Sequence, residues 1–142
     1  MVAALVAAGL TGCGDDGAVT LRVYTSVTQG TVDAVVAGFE EQYPGIDVEV
    51  FRAPTGELTA RIAAEQREGG LSADVLWLSD PLSIQQYDAD GLLLVWEPAA
   101  AAAIPAEFRT PSFWGTRLLT MIVVHSPDIA APVSWADLTG PG

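Results

Sequence analysis

The sequence predicts an α/β fold built on an open parallel sheet. From Leu21 onward, short apolar segments alternate with longer segments whose apolar residues recur at helical spacing. Turn residues separate the segments, as at Pro44-Gly45 and Gly69-Gly70. Strands that alternate with helices in this way pair in parallel through right-handed crossovers. A chain of 142 residues is long enough for one such domain.

Three strands are predicted in the first part of the chain, over residues 21–24, 46–51 and 74–78. The third is the most apolar, so we expect it to be covered on both faces. The intervening helices serve as crossovers between parallel strands, and among the orders that such crossovers allow we expect second, first, third.

A helix is predicted after each strand. Apolar residues fall at helical spacing from Val32 to Tyr43 in the first helix. Thr55 can cap the second helix, which ends at Gly69-Gly70. Asp80-Pro81 form an N-cap and first-turn pair for a third helix over Leu82 to Asp88.

The pattern is weaker beyond Gly91. The alanine run 99–103 is either one helical turn or a covering loop. Residues 117–125 read as a further apolar strand, and Ser134 to Asp137 form a capping box that opens a short helix. The chain reaches Gly142 without completing a structural unit, so we expect further sequence downstream.

The N-terminal residues have the pattern of a lipoprotein signal. Leu10-Thr11-Gly12-Cys13 follows an apolar run, 2–10, that is too short to span a bilayer. We expect residues 1–12 to be a signal peptide, the Cys13 thiol to carry a lipid anchor and 13–20 to be a flexible tether. No Lys or Arg precedes the run, which indicates an earlier start codon. The alternative is an ordinary buried cysteine in a first helix.

Composition excludes several classes of function. The chain has 18 acidic against 6 basic residues, for a net charge of -12, so no nucleic-acid partner is expected. With Cys13 as the single cysteine, no disulfide framework or thiolate metal cluster is expected. The sequence contains one His and no G-x-S-x-G, H-E-x-x-H or P-loop motif. We therefore expect no enzymatic activity, no cofactor and no bound metal.

Candidate ligand-binding residues lie at the carboxyl ends of the predicted strands, where open parallel sheets bind ligands next to helix N-termini. They are Thr25 and Ser26 after the first strand, Thr55 and Gly56 after the second, and Ser79 and Asp80 after the third. Each hydroxyl can instead cap its own helix, and the two roles can coexist. Asp80 is either a cap or a ligand for an amine or a metal.

Arg117 is the seventh candidate. It opens the predicted fourth strand, and a guanidinium at a cleft edge is a bidentate partner for carboxylate or phosphonate oxygens. The alternative is an arginine that is solvated or paired with a surface acid.

Six segments together resemble the extracellular solute-binding proteins of ABC importers, in the subgroup with ferric-ion-binding and 2-aminoethylphosphonate-binding proteins. The segments run in order along the chain at 21–26, 53–62, 73–78, 90–93, 114–117 and 134–138. The resemblance implies a type 2 periplasmic-binding-protein fold with two α/β lobes that close on a ligand. Residues 21–142 would be the first lobe, incomplete, with the second lobe absent.

The resemblance also bears on the ligand. Ferric binders of this subgroup carry a His after the first strand and a Glu after the third, where this chain has Thr28 and Ser79. Hydroxyls are poor replacements for the anionic oxygens that Fe(III) prefers. The Pro-Thr-Gly loop at 54–56 and Gly-Thr-Arg at 115–117 are more similar to the phosphonate binders.

The function that these residues predict is therefore capture of a small solute. We expect a monomeric, lipid-anchored receptor that delivers a phosphonate or another small organic anion to an ABC permease. Ferric iron is the alternative ligand, and a truncated, non-binding remnant is the alternative function.

Overall fold

Three strands and three helices make up the first of two compact units in the computed structural model, which describes residues 19–139. The first unit covers described residues 19–93 and the second covers 94–139. The predicted signal peptide and Cys13 lie outside the described residues.

The elements of the first unit match the predicted ones in type and order. The strands are β1 (Val19–Thr25), β2 (Ile46–Arg52) and β3 (Val75–Trp77). The helices are α1 (Gln29–Gln42), α2 (Thr55–Arg67) and α3 (Pro81–Ala89). Because β1 begins at Val19, the last two residues of the predicted tether belong to the strand.

The three strands form a parallel sheet in the order β2-β1-β3, which confirms the predicted topology. In the register of this sheet Thr25 is the partner of Arg52 on β2 and of Trp77 on β3. All three strands therefore end at the same level. We use the name carboxyl edge for the last residues of the three strands, Thr25, Arg52 and Trp77, together with the loops that follow them, 26–28, 53–54 and 78–80.

The core of this unit forms where α2 and α3 cover the sheet. Its buried residues are Tyr24, Ala53, Leu58, Ile62 and Tyr87. The apolar stripe of α2, Leu58 and Ile62, was expected from the sequence and is fully buried. Burial of one such side chain stabilises the fold by about 1.5–3 kcal/mol. The helix ends before Gly69, whose φ of 107° is a conformation that favours glycine.

A polar network fastens α2 to β1. The Tyr24 hydroxyl donates to Glu65 Oε1 at 2.6 Å, and Arg61 Nε donates to the same oxygen at 2.8 Å. Glu65 Oε2 accepts from the backbone N–H of Ser72 at 2.9 Å. The Arg61 guanidinium also stacks over the Phe51 ring, 4.0 Å from its centroid. Burial alone would raise the pKa of Glu65, but these hydrogen bonds outweigh it and lower the pKa to about 2.

The expectation that the third strand is covered on both faces is wrong for the described residues. Val75 is 40% exposed, and Leu76 and Trp77 are half-buried. The reason is topological: within residues 19–139 β3 pairs only with β1, so it forms an edge of the sheet.

The second unit contains three short 3-10 helices, Ala101–Ala103, Ala106–Phe108 and Trp135–Thr139. The alanine run therefore forms a helical turn, in which Ala101 is buried. One half of the predicted capping box is formed, in which the Asp137 carboxylate accepts from the Ser134 N–H at 2.8 Å. The Asp137 N–H donates to the Ser134 carbonyl instead of its hydroxyl, and the helix that follows is 3-10.

The strand predicted over residues 117–125 is not formed, and this prediction is wrong. The segment has no regular structure and its apolar side chains are exposed, with Met121 at 89%. A strand needs a neighbour for its backbone N–H and C=O groups, and within residues 19–139 this segment has none. Among the described residues, no helix combines the length and the apolar character needed to cross a bilayer.

Candidate ligand-binding site

Ser26 and Ser79 meet at the carboxyl edge, as the predicted site requires. Their Oγ atoms lie 2.9 Å apart, and the Ser79 backbone N–H donates to Ser26 Oγ at 3.1 Å. The two residues are 53 positions apart in sequence and both are half-buried. The parallel pairing of β1 with β3 brings them together, because both residues follow strand ends at the same level. The result is a pair of hydroxyls on the loops that lead into α1 and α3.

Thr25 directly precedes Ser26 in the chain and is fully buried. Its hydroxyl donates to the Trp77 carbonyl at 2.6 Å and accepts from the Val27 N–H at 3.1 Å. In this arrangement the Thr25 side chain joins β1 to β3 and shapes the start of the next loop. A ligand contact by Thr25 stays a prediction.

Thr55 and Gly56 form the first turn of α2. The prediction that Thr55 caps this helix is wrong, because the N-cap residue is Pro54, which makes no side-chain cap hydrogen bond. Thr55 is half-buried and Gly56 is exposed, and a Cβ at Gly56 would meet no atom within 4 Å. The N-terminus of α2 thus has open space around it and the partial positive charge of a helix start.

Asp80 is the N-cap of α3, as predicted. Its carboxylate accepts from the backbone N–H groups of Leu82 at 3.2 Å and Ser83 at 3.1 Å, and also from the Ser83 hydroxyl. The Ser83 hydroxyl lowers the pKa of Asp80, burial opposes that effect, and the two backbone N–H groups add to it. The sequence left two roles open for Asp80, helix cap or ligand, and the structure shows the helix cap. Ligand binding by Asp80 stays a prediction.

Thr28, where ferric binders of the resembled subgroup carry a His, is the N-cap residue of α1. Its hydroxyl lies 3.0 Å from the Thr31 hydroxyl and does not cap a backbone N–H. Thr28 is exposed, one residue beyond the buried Val27. The position therefore offers a neutral hydroxyl at the carboxyl edge.

Arg52 is a cation at the carboxyl edge that sequence reasoning missed. It is the last residue of β2, is exposed, and donates from Nε to the Val27 carbonyl at 2.7 Å. The signal that could have found it is its place directly before the Ala-Pro-Thr-Gly loop, at the end of a predicted strand. What the sequence does not show is the bond to Val27, which depends on the pairing of β1 with β2.

Arg117 belongs to the second unit, where it is exposed and lies in the irregular segment 117–125. Its role as a ligand contact stays a prediction. Two shallow depressions also lie in the second unit; one, of about 320 Å³, is lined in part by Trp96, Arg109 and Trp114. Neither includes a residue of the carboxyl edge.

Among residues 19–139, no three or more His, Cys, Asp or Glu residues are grouped as metal ligands would be. The groups at the carboxyl edge are hydroxyls, backbone N–H groups, one helix-capping carboxylate and one guanidinium. Such a set suits an oxyanion.

Comparisons with known proteins agree with the architecture. The profile of a family described as bacterial extracellular solute-binding protein matches residues 21–142. A search of curated proteins finds no match. Among solved structures, the crystal structure of iron-bound HitA from Pseudomonas aeruginosa is similar, with a TM-score of 0.57 and 27% sequence identity. That match covers 65% of this chain and 29% of the HitA chain. The predicted α/β class with a parallel sheet is confirmed, and the three-stranded sheet is similar to a lobe of such a protein.

Proposed function

We propose that this chain, which belongs to the bacterial extracellular solute-binding protein family, provides one lobe of a receptor that captures a phosphonate or another small organic anion. The family is one of binding proteins, so we expect binding without catalysis. The observation that carries the choice of ligand is the pair of hydroxyls at the carboxyl edge, Ser26 and Ser79, whose Oγ atoms are 2.9 Å apart.

The hydroxyl pair suits an anion because it keeps one proton to donate. One of the two hydroxyls donates to the other across the 2.9 Å separation, and the O–H of the accepting serine is then available to a ligand. The first turn of α2 adds backbone N–H groups with no side-chain cap. Hydroxyls and helix N-termini are a common combination at phosphate and carboxylate sites.

Ferric iron is the second candidate ligand, and the iron-bound state of HitA favours it. Fe(III) prefers anionic oxygen ligands. Asp80 is the carboxylate at the carboxyl edge, and its oxygens already accept three hydrogen bonds from the first turn of α3. An iron site here would therefore depend on anionic ligands from outside the carboxyl edge, which places iron second for this chain.

The remaining features of the proposal concern the whole protein. We propose a second lobe downstream, because the HitA match spans only 29% of that chain. We also propose a lipid anchor on Cys13, an extracytoplasmic location, a monomeric state and delivery of the solute to an ABC permease. A truncated, non-binding remnant is the competing possibility. Reading the gene beyond Gly142 separates the two, since an in-frame stop supports the remnant and a second α/β lobe supports the receptor.

Calorimetric titration of the full-length gene product tests the choice of ligand. The probes are 2-aminoethylphosphonate, methylphosphonate, succinate and Fe(III). We expect saturable binding of a phosphonate or carboxylate, weakened about three- to tenfold by Ser26→Ala or Ser79→Ala, each of which removes a neutral hydrogen bond. Ser72→Ala is the matched control, because Ser72 is exposed and precedes β3 at the opposite end of the sheet. Binding of Fe(III) alone would refute the anion proposal.

A further inference from the structure

The Arg52 side chain bonds to the loop after the neighbouring strand β1 and to no residue of its own strand β2. It ends β2, and in the sheet register it is the partner of Thr25. Its Nε–H donates to the carbonyl of Val27, which directly follows Ser26 in the loop after β1. The guanidinium therefore lies against the same loop that carries the Ser26 hydroxyl.

The single bond from Nε holds the guanidinium beside the Val27 carbonyl and does not use its two terminal nitrogens. Within residues 19–139 no other hydrogen bond or ion pair engages Arg52, so both terminal nitrogens, Nη1 and Nη2, are available. These two nitrogens form the fork that binds two oxygens of a carboxylate or phosphonate at once.

The charges of the first unit single out Arg52 among its four arginines. Arg22 is paired with Glu49 and Arg61 with Glu65. Arg67 is in the last turn of α2, and because α2 crosses from the end of β2 back to the start of β3, it lies at the opposite end of the sheet. Arg52 is thus the unit's one arginine at the carboxyl edge, and in the described residues it has no acidic partner. Because the chain has a net charge of -12, an unpaired guanidinium creates a local region of positive electrostatic potential on a mostly negative protein.

We propose that Arg52 is a specificity-determining residue that binds the anionic group of the solute through Nη1 and Nη2. This inference rests on the proposed function and deepens it. The Ser26 and Ser79 hydroxyls provide neutral contacts, whereas Arg52 provides the charge that selects an anion over a neutral solute. A purely structural role, in which Arg52 only tethers the loop through Val27, predicts that a variant that keeps this tether but loses the charge binds anions as the wild type does.

The test compares three variants of the full-length gene product by calorimetry, with methylphosphonate and succinate as probes. Arg52→Gln removes the charge but keeps an amide that can donate to the Val27 carbonyl. Arg52→Lys keeps the charge but loses the planar fork. Arg67→Gln is the matched control, since it makes the same change of charge at an exposed arginine distant from the carboxyl edge.

We expect Arg52→Gln to raise the Kd for the tighter-binding probe by about ten- to hundredfold, as for loss of a charged hydrogen-bond pair. Arg52→Lys should lie between that variant and the wild type, and Arg67→Gln should be within about twofold of the wild type. Equal affinities of Arg52→Gln and Arg67→Gln would overturn the inference while leaving the proposed function intact. If Arg52→Gln does not fold, Arg52→Lys decides, and an unchanged Kd in that variant overturns the inference. If the wild type binds neither probe, the anion proposal fails and the inference fails with it.

Discussion

Replacing Glu65 by Gln should lower the free energy of unfolding by about 2 kcal/mol, because Glu65 is the charged centre of the network that fastens α2 to β1. Its side chain is 14% exposed and accepts three hydrogen bonds, from the Tyr24 hydroxyl, Arg61 Nε and the Ser72 N–H. Hydrogen bonds to a charged group contribute about 1.5–3 kcal/mol each when buried. The Arg61 side chain is 41% exposed, so its ion pair adds only about 0.5 kcal/mol. Gln retains one acceptor oxygen, which reduces the loss to about 2 kcal/mol.

The contribution of Glu65 to the free energy of unfolding should also depend on pH. The pKa of Glu65 is about 2 in the folded chain, below its ordinary value of 4.5. A depressed pKa in the folded state stabilises the protein above the ordinary value, and this stabilisation is lost as the pH falls from 4.5 toward 2. The difference in stability between wild type and Glu65→Gln should therefore be largest near neutral pH and shrink steadily in acid.

Urea unfolding followed by far-UV circular dichroism measures both effects, at about pH 7 and about pH 3. Glu68→Gln is the matched control, because Glu68 is exposed at the end of the same helix and no side-chain contact of it is found in the described residues. A loss below about 0.5 kcal/mol at neutral pH would contradict the assigned network, since that is the size of a surface ion pair alone. So would a loss of the same size at both pH values.

Three further predictions concern the cap, the anchor and the second unit. Asp80→Ala should lower the free energy of unfolding by about 1 kcal/mol through loss of the α3 N-cap, with Asp80→Asn much milder; equal thermal stability of Asp80→Ala and wild type would argue against the cap. Cys13→Ser should abolish lipidation and release the protein from the membrane fraction, and intact mass spectrometry that recovers an unlipidated Met1 chain from wild-type membranes would contradict the anchor. In the full-length protein Arg117→Ala should weaken binding more than Thr55→Ala, by about 1–2 kcal/mol, and an unchanged affinity in Arg117→Ala would remove it from the site.

The elements of the first unit were predictable because their signals are local. Alternating apolar segments, turn residues and the Asp80-Pro81 pair are visible within a few positions of each element. Right-handed crossovers predicted parallel pairing but allow several strand orders, and the predicted order β2-β1-β3 was one of them.

The wrong predictions share a dependence on partners elsewhere in the chain. Residues 117–125 are apolar enough for a strand, but a strand forms only when a neighbour satisfies its backbone groups. The start of α2 similarly depends on where β2 ends, and the N-cap residue is Pro54, one position before the predicted Thr55. Arg52 was missed for a related reason, since its bond joins the end of β2 to Val27, which lies 25 positions earlier in the loop after β1.

The division of roles between Thr25 and Ser26 shows how the sheet converts neighbouring residues of similar chemistry into different functions. Successive side chains at a strand end point in opposite directions. Thr25 is fully buried and its hydroxyl is used by Trp77 and Val27, whereas Ser26 is half-buried and reaches Ser79. The bonds of Thr25 fix the loop on which Ser26 and the Val27 carbonyl lie, and that carbonyl in turn holds the Arg52 guanidinium. A single buried threonine thus positions both the hydroxyl pair and the cation through which we propose that an anion is bound.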